Sequence, residues 1–208
     1  MAVMDFNPQG PLFQSGLDAI EKGYAGAVNG VAQEINRNKA EFFDYNRHIE
    51  NGGSPSGERD DDGYLILPYD DELRLKIKSA EDTLIVLRKA YAITTYHHWE
   101  RSALQWTGSK NSVKHDNLVK LVLKMGYPVD NELAKVRYLA NLLKHGNDRW
   151  GVKLMQNWPE LFPAGVSPCV GGSWPVSWHD CVALSDASIL QILTIVRASG
   201  PKGILTPS

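Results

Sequence analysis

The chain has little cysteine and lacks a long apolar run. Its 208 residues include only two cysteines, Cys169 and Cys181. Two cysteines are too few for a disulfide framework and lack the paired spacing of a zinc site, although a single bridge between them stays open. No apolar run approaches the roughly 18 residues that span a bilayer, and no charged-then-apolar leader begins the chain. We therefore expect a soluble cytoplasmic protein with no membrane contact, no metal and no cofactor.

The chain also lacks an excess of positive charge. It contains 22 Lys and Arg residues against 24 Asp and Glu residues, which gives a formal net charge of −2. A whole-molecule field that attracts nucleic acid is thus excluded, and any contact with RNA must use a local basic patch. The length and the hydrophobic content of 43% suit one well-buried domain over residues 1–208.

The sequence shows no sustained strand alternation, no phosphate-binding Gly-rich motif and no Gly-x-Ser-x-Gly elbow. Apolar residues instead recur at steps of three and four, the spacing of amphipathic helices. This pattern predicts an all-α helical bundle of five or six helices. The predicted helices cover about 15–50, 70–106, 113–125, 130–145 and 149–157, with a last one capped by Asp186.

Three segments are predicted to lie outside the helices. Residues 1–14 contain two prolines and are interpreted as an arm. Residues 51–63 are polar, Gly-rich and acidic at their end, which is typical of a flexible loop. Residues 163–181 are rich in Pro, Gly and Trp, and we expect Trp174 and Trp178 to close the edge of the core. The apolar run 64–68 is either extended or an anchoring turn.

The helix that ends near residue 145 carries four candidate catalytic side chains: Arg137, Asn141, Lys144 and His145. At about 100° per residue, Asn141 lies about 40° and Arg137 about 80° from His145, over about 12 Å of axial rise. Phosphodiester cleavage without a metal needs such groups, because one must move protons, one must orient and a cation must stabilise the transition state. Lys144-His145-Gly146 is equally typical of a plain helix end, followed by an Asn147-Asp148 N-cap.

A second polar group lies at 96–101 on the long helix, where His97 and Glu100 are one turn apart. A metal site would need further carboxylates and a matching motif on another helix, and neither is present. Polar packing at the end of the bundle, or support of His145 from a neighbouring helix, are the remaining interpretations. His115 is interpreted as part of a solvated helix start.

The run Asn141-Leu142-Leu143-Lys144-His145-Gly146-Asn147, followed by residues 153–162 with their Trp-Pro-Glu-Leu-Phe end, resembles the second half of HEPN-superfamily proteins. The likeness is best over about 71–200. It implies a small all-α bundle, usually dimeric, and often a metal-independent endoribonuclease of toxin, CRISPR or phage-defence systems. The motif of those nucleases is an Arg followed a few residues later by a His. Here seven residues separate Arg137 from His145, which is more than in that motif.

Two functions therefore remain open. In the first, the protein is a HEPN-type endoribonuclease in which His145 moves a proton, Arg137 or Lys144 stabilises the transition state and Asn141 orients, with His97 and Glu100 in support. In the second, it is a non-catalytic dimeric sensor or partner-binding module. The resemblance implies a homodimer in both cases, and RNA and a cognate antitoxin or regulatory protein as candidate partners.

Overall fold

A computed structural model describes residues 8–110, 113–164 and 177–202. Seven α-helices, one 3₁₀ turn and a two-stranded sheet make up the described elements. They are α1 Gln9–Glu50, β1 Gly57–Arg59, β2 Leu65–Pro68, α2 Tyr69–Thr107, α3 His115–Lys124, α4 Leu133–His145, α5 Asp148–Asn157, the 3₁₀ turn Pro159–Leu161, α6 Trp178–Cys181 and α7 Asp186–Arg197. This mostly helical content confirms the predicted all-α class.

The chain divides into two compact units. The larger unit contains Met1–Gly23 and Arg88–Ser208, and the smaller unit contains Tyr24–Leu87. The long helices α1 and α2 each contribute residues to both units.

The core of the larger unit lies around α4, which contacts α5, α6 and α7. Its apolar face is buried: Leu133, Val136, Leu139 and Leu142 recur every third residue, so they lie along one side of the helix. On α2, the indole of Trp99 is completely buried and its Nε1 donates to the Ser199 carbonyl at 2.5 Å. The larger unit therefore combines a continuous apolar core with hydrogen-bonded aromatic side chains.

The smaller unit consists of parts of α1 and α2 and the hairpin between them. Strands β1 and β2 pair antiparallel, with Gly57 opposite Pro68. The Tyr45 and Tyr69 rings are in edge contact at 5.2 Å between centroids, and Lys39 pairs with Glu81 at 3.4 Å. Buried residues are few here: Tyr24, Ile35, Asn38, Leu73 and Ala80.

Several predicted boundaries differ from the structure. Helix α1 begins at Gln9 rather than near residue 15, because Pro11 lies in the first turn, where a backbone N–H has no partner within the helix. The hairpin was missed, since part of the expected loop 51–63 forms β1 and the run 64–68 is extended as β2. Short strands of three and four residues give too little alternation to recognise.

The C-terminal helices differ in detail. A one-turn helix, α6, lies at the end of the expected loop 163–181 and gives the seventh helix. Helix α7 is capped by Ser185, not by Asp186, and the Ser185 and Ser188 side chains form a capping box. Trp178 is buried as predicted. Trp174 and Cys169 lie outside the described residues, and burial raises the pKa of the Cys181 thiol.

A search for helices long and apolar enough to cross a bilayer found none among the described residues.

Candidate functional site

Helix α4 presents the four predicted catalytic residues, and both of its ends are well defined. At the start, the N-cap position is Glu132, two residues after the predicted cap, Asp130. The Asp130 carboxylate accepts a hydrogen bond from the Glu132 N–H at 2.7 Å. At the end, Gly146 adopts φ 60° and its N–H donates to the Leu142 carbonyl at 2.8 Å. A positive φ favours glycine, so this position fixes where α4 stops and leaves His145 on its last turn.

Lys144 and His145 are exposed at that end. Neither side chain has a hydrogen bond or an ion pair within the part of the chain that the structure describes. Cations in the last turn face the negative end of the helix dipole, as the simpler interpretation of this segment requires. An exposed imidazole is also accessible to a substrate, so the position is compatible with both interpretations.

Arg137 lies on the same helix but is held by other residues. Its Nη1 is 3.1 Å from Asp116 Oδ1 on α3, and its guanidinium carbon is 5.4 Å from the centroid of the Trp150 ring on α5. The Arg137 side chain is 21% exposed, whereas that of Asp116 is 81% exposed. The predicted cation is therefore fixed on one side and accessible on the other.

Asn141 does not orient His145 in this structure. Its Nδ2 donates to the Arg137 carbonyl at 3.0 Å, within its own helix. The described contacts thus connect Arg137 to α3 and α5, and Asn141 to the α4 backbone, and they do not join either residue to His145.

Three cations surround the Trp150 ring. Besides Arg137, Arg149 lies 5.0 Å and Lys153 lies 5.6 Å from its centroid. The Tyr138 ring is 6.0 Å from that of Trp150, and Lys153 is 5.6 Å from the Tyr138 centroid. We call these five residues the Trp150 cluster: Arg137, Tyr138, Arg149, Trp150 and Lys153. Cations over aromatic faces are attracted by the ring quadrupole, which orders long side chains that are otherwise mobile.

The N-terminus of α5 positions this cluster. Asn147 is the N-cap, as predicted, and its side chain accepts from the Trp150 N–H at 3.3 Å. Asp148 accepts from Trp178 Nε1 at 2.7 Å, which ties the first turn to α6. Gly151 is buried against the Trp178 ring, where a Cβ would lie only 2.1 Å from the nearest ring carbon. Close packing beneath α5 therefore fixes the side of the helix that carries Arg149 and Lys153.

The predicted supporting pair is formed on α2. His97 Nδ1 lies 3.0 Å from Glu100 Oε2, as the one-turn spacing predicts. The structure gives no contact between either residue and His145. Both are half-buried, and the Glu100 charge raises the pKa of the neighbouring Tyr96, for which burial is the larger cause.

His115 was wrongly interpreted as solvated. It is buried, and its Nδ1 is 3.0 Å from the Tyr96 hydroxyl. Burial, aided by the Arg137 charge and opposed by Asp116, lowers the pKa of His115 to about 4. The neutral ring therefore anchors the start of α3 and so positions Asp116 beside Arg137.

Next to this ion pair, α3 and the start of α4 enclose a shallow cavity of about 330 Å³. Its walls are mainly apolar, with His115, Asp116 and Lys120 among the polar lining residues. No group of three or more His, Cys, Asp or Glu side chains suited to a metal occurs among the described residues.

Sequence reasoning missed Asp116, His115 and the aromatic partners of Arg137. One signal was available for the cations: residues 135–153 contain five Lys and Arg residues against one carboxylate, in a chain that is acidic as a whole. The partners of Arg137 are Asp116 on α3 and Trp150 on α5, so no spacing along one helix reveals them.

Comparisons of the chain with protein-family models, with curated proteins and with solved structures found no match. The HEPN resemblance thus remains a prediction that depends on residues 141–162.

Proposed function

We propose that the protein is a metal-independent endoribonuclease of HEPN type, whose reacting groups lie on α4. The observation that carries this proposal is the arrangement of α4. The helix combines an exposed imidazole, His145, with an arginine that Trp150 and Asp116 fix in place. A general acid/base must be accessible, and a transition-state cation is most effective when it is already in position.

Each residue has a distinct role in this proposal. His145 takes the proton of a 2′-hydroxyl as that oxygen attacks the adjacent phosphorus, and the bond to the 5′-oxygen breaks. Arg137 or Lys144 stabilises the extra negative charge on the phosphate oxygens. Asn141 supports the helix turn that presents Arg137. His97 and Glu100 remain proposed as supporting residues through the hydrogen bond between them.

His145→Ala tests the assignment. We expect the cleavage rate to fall by about 10²–10⁴, because a general acid/base is lost. The melting temperature should change little, because an exposed side chain in the last turn of a helix contributes at most about 1–2 kcal/mol through the helix dipole. A matched control is His48→Ala, which removes another exposed histidine near a helix end. Equal activity of the His145 variant and the control would refute the role.

Arg137 has a separate test. Arg137→Ala should impair cleavage and Arg137→Lys should restore only part of it, since lysine lacks the planar fork. Both variants also lose the contact with Asp116. Asp116→Asn removes that ion pair but keeps Arg137. The cleavage activity of this variant therefore shows how much of the loss in the Arg137 variants comes from the lost contact with Asp116.

A second candidate function, a dimeric partner-binding module, has its own support. The smaller unit exposes six large apolar or aromatic side chains: Phe43, Tyr64, Ile66, Leu75, Ile85 and Val86. Exposed apolar groups at this density are typical of interaction surfaces. On α2, Leu75 and Val86 are eleven residues apart, so they share one side of the helix.

We propose a homodimer in both candidate functions, and light scattering measures it. Phe43→Ser together with Leu75→Ser should shift the protein toward the mass of one chain without loss of helical signal. The matched control is Leu12→Ser with Leu190→Ser, two exposed apolar residues of the larger unit. A wild-type mass of 23.1 kDa at micromolar concentration would contradict the dimer.

A further inference from the structure

The charge around Trp150 is not balanced by the protein itself. Arg137 has the Asp116 carboxylate as its partner. Arg149 and Lys153 form no ion pair within the described residues, and the one acidic residue of their helix turn, Asp148, accepts from the Trp178 indole. Three cations therefore converge on one ring, and within the described residues only Arg137 has a carboxylate as an ion-pair partner.

A bound anion would make this convergence of like charges more favourable. Each cation lies within 6 Å of the ring centroid, and like charges gathered around one ring repel one another. The quadrupole of the indole offsets part of this repulsion and holds the cations in place. A bound polyanion would offset the remainder, and it would do so without reordering the side chains.

The cations also lie close in sequence to the proposed catalytic residues. Arg137 and Lys144 belong to α4, and Arg149 and Lys153 to α5, on either side of the Gly146-Asn147 connection. His145 immediately precedes that connection. Three of these cations lie over the Trp150 ring, whereas Lys144 has no contact with that ring in the described structure. An extended anion with several charges therefore fits the set better than a single small anion.

We propose that the Trp150 cluster binds the phosphates of an RNA strand that flank the bond cleaved at His145. Arg149 and Lys153 contact two backbone phosphates, and Trp150 acts as a positioning residue that keeps both cations and Arg137 oriented. This inference rests on the proposed function for its RNA substrate. It assigns phosphate binding to Arg149 and Lys153, which have no part in the proposed chemistry.

Binding is measured apart from cleavage with a fluorescein-labelled RNA oligonucleotide in which every 2′-hydroxyl is methylated. Without that hydroxyl the proposed attack is impossible, so anisotropy in EDTA reports affinity alone. Arg149→Glu/Lys153→Glu should weaken binding at least tenfold. It should also lower the slope of log K against log salt by about 1.4, since each lost phosphate contact of a single strand contributes about 0.7.

The control variant makes the same change in net charge at another place. Lys76→Glu/Lys78→Glu alters two exposed lysines of the smaller unit and should leave affinity within about twofold, a range that a change in the general field accounts for. Trp150→Leu keeps all the cations and should still weaken binding, because it removes the ring that orders them. Circular dichroism melts confirm that each variant is folded.

The outcomes separate this inference from the nuclease proposal. If the wild-type protein binds the methylated RNA at the Trp150 cluster yet never cleaves unmodified RNA, the nuclease proposal fails and the binding site stands. If the protein cleaves RNA but Arg149→Glu/Lys153→Glu binds like the wild type, or the control loses as much, the binding site is refuted. Competition by inorganic phosphate at an equal concentration of phosphate groups would also refute it, because a single small anion would then suffice.

Discussion

The two compact units differ in how many of their side chains are buried. In the larger unit, α4 alone buries six residues, and aromatic side chains such as Trp99 are both buried and hydrogen-bonded. In the smaller unit, Leu73 and Ile35 are among the few buried apolar residues. It exposes six large apolar or aromatic side chains, as many as the described part of the larger unit, which is a much longer part of the chain. A well-packed region can hold charged groups in fixed positions, whereas a sparsely packed one has surface left for a partner. The difference supports the assignment of chemistry to the larger unit and of association to the smaller one.

The glycines show the same contrast. In the larger unit, a Cβ at Gly16 would lie 2.2 Å from the His98 ring. In the smaller unit, a Cβ at Gly26 or Gly30 would meet nothing within 4 Å. Gly16 therefore allows a close approach of the His98 side chain, whereas Gly26 and Gly30 have no such neighbour. For Gly26 and Gly30, glycine therefore brings no packing benefit within the chain, only a larger loss of backbone entropy when the helix forms.

The largest effect that we expect from this contrast is a dependence of stability on pH. His115 has its pKa lowered to about 4 from an ordinary value of 6.5, chiefly by burial and further by Arg137, against the opposing charge of Asp116. The unfolded chain then binds more protons than the folded chain between these values, so stability is complete above about pH 6.5 and falls as the pH decreases toward 4. The expected loss is about 3 kcal/mol, from about 1.4 kcal/mol per pKa unit.

Urea unfolding at a series of pH values measures this loss. His115→Gln should flatten the profile between pH 6.5 and 4, because glutamine does not titrate and can still accept from the Tyr96 hydroxyl. His48→Gln, at an exposed position of the smaller unit, should leave the profile unchanged. If the two variants give the same slope as the wild type, His115 is not the group that titrates.

Replacing glycine by alanine should have a smaller effect on the free energy of unfolding, and the sign of that effect should differ between the two units. Gly151→Ala should lower the free energy of unfolding by about 1–3 kcal/mol, because the new methyl overlaps the Trp178 ring in a packed core. Gly26→Ala and Gly30→Ala should each raise it by about 0.5–1 kcal/mol, since both lie inside a helix with open space around them. Denaturant titration gives both values. Destabilisation at Gly26 comparable to that at Gly151 would mean that the smaller unit is as tightly packed as the larger.

The sequence could predict the helices because their signals are local. Periodic apolar residues gave α2 and α4 nearly to the residue, and Gly146 and Asn147 gave the boundary between α4 and α5. The hairpin could not be foreseen, because β1 and β2 are too short for alternation to accumulate and their pairing joins residues that polar turns separate.

The same reasoning could predict only part of the candidate site. The shared face of Arg137 and His145 follows from helical geometry, but the contacts that hold Arg137 come from α3 and α5. His115 looked solvated because it lies beside Lys114 and Asp116, which are exposed. Its burial depends on Tyr96, nineteen residues away along the chain. Tertiary contacts of this kind leave no trace in local spacing.

The most direct measurement incubates unmodified RNA with the pure wild-type protein in EDTA and then analyses the 3′ ends of the RNA fragments that form. The account predicts cleavage with 2′,3′-cyclic phosphate ends, because the 2′-hydroxyl is the attacking group that His145 deprotonates. Products that carry only 3′-hydroxyl ends, or RNA that stays intact while the same preparation is folded, would contradict the proposed chemistry on α4.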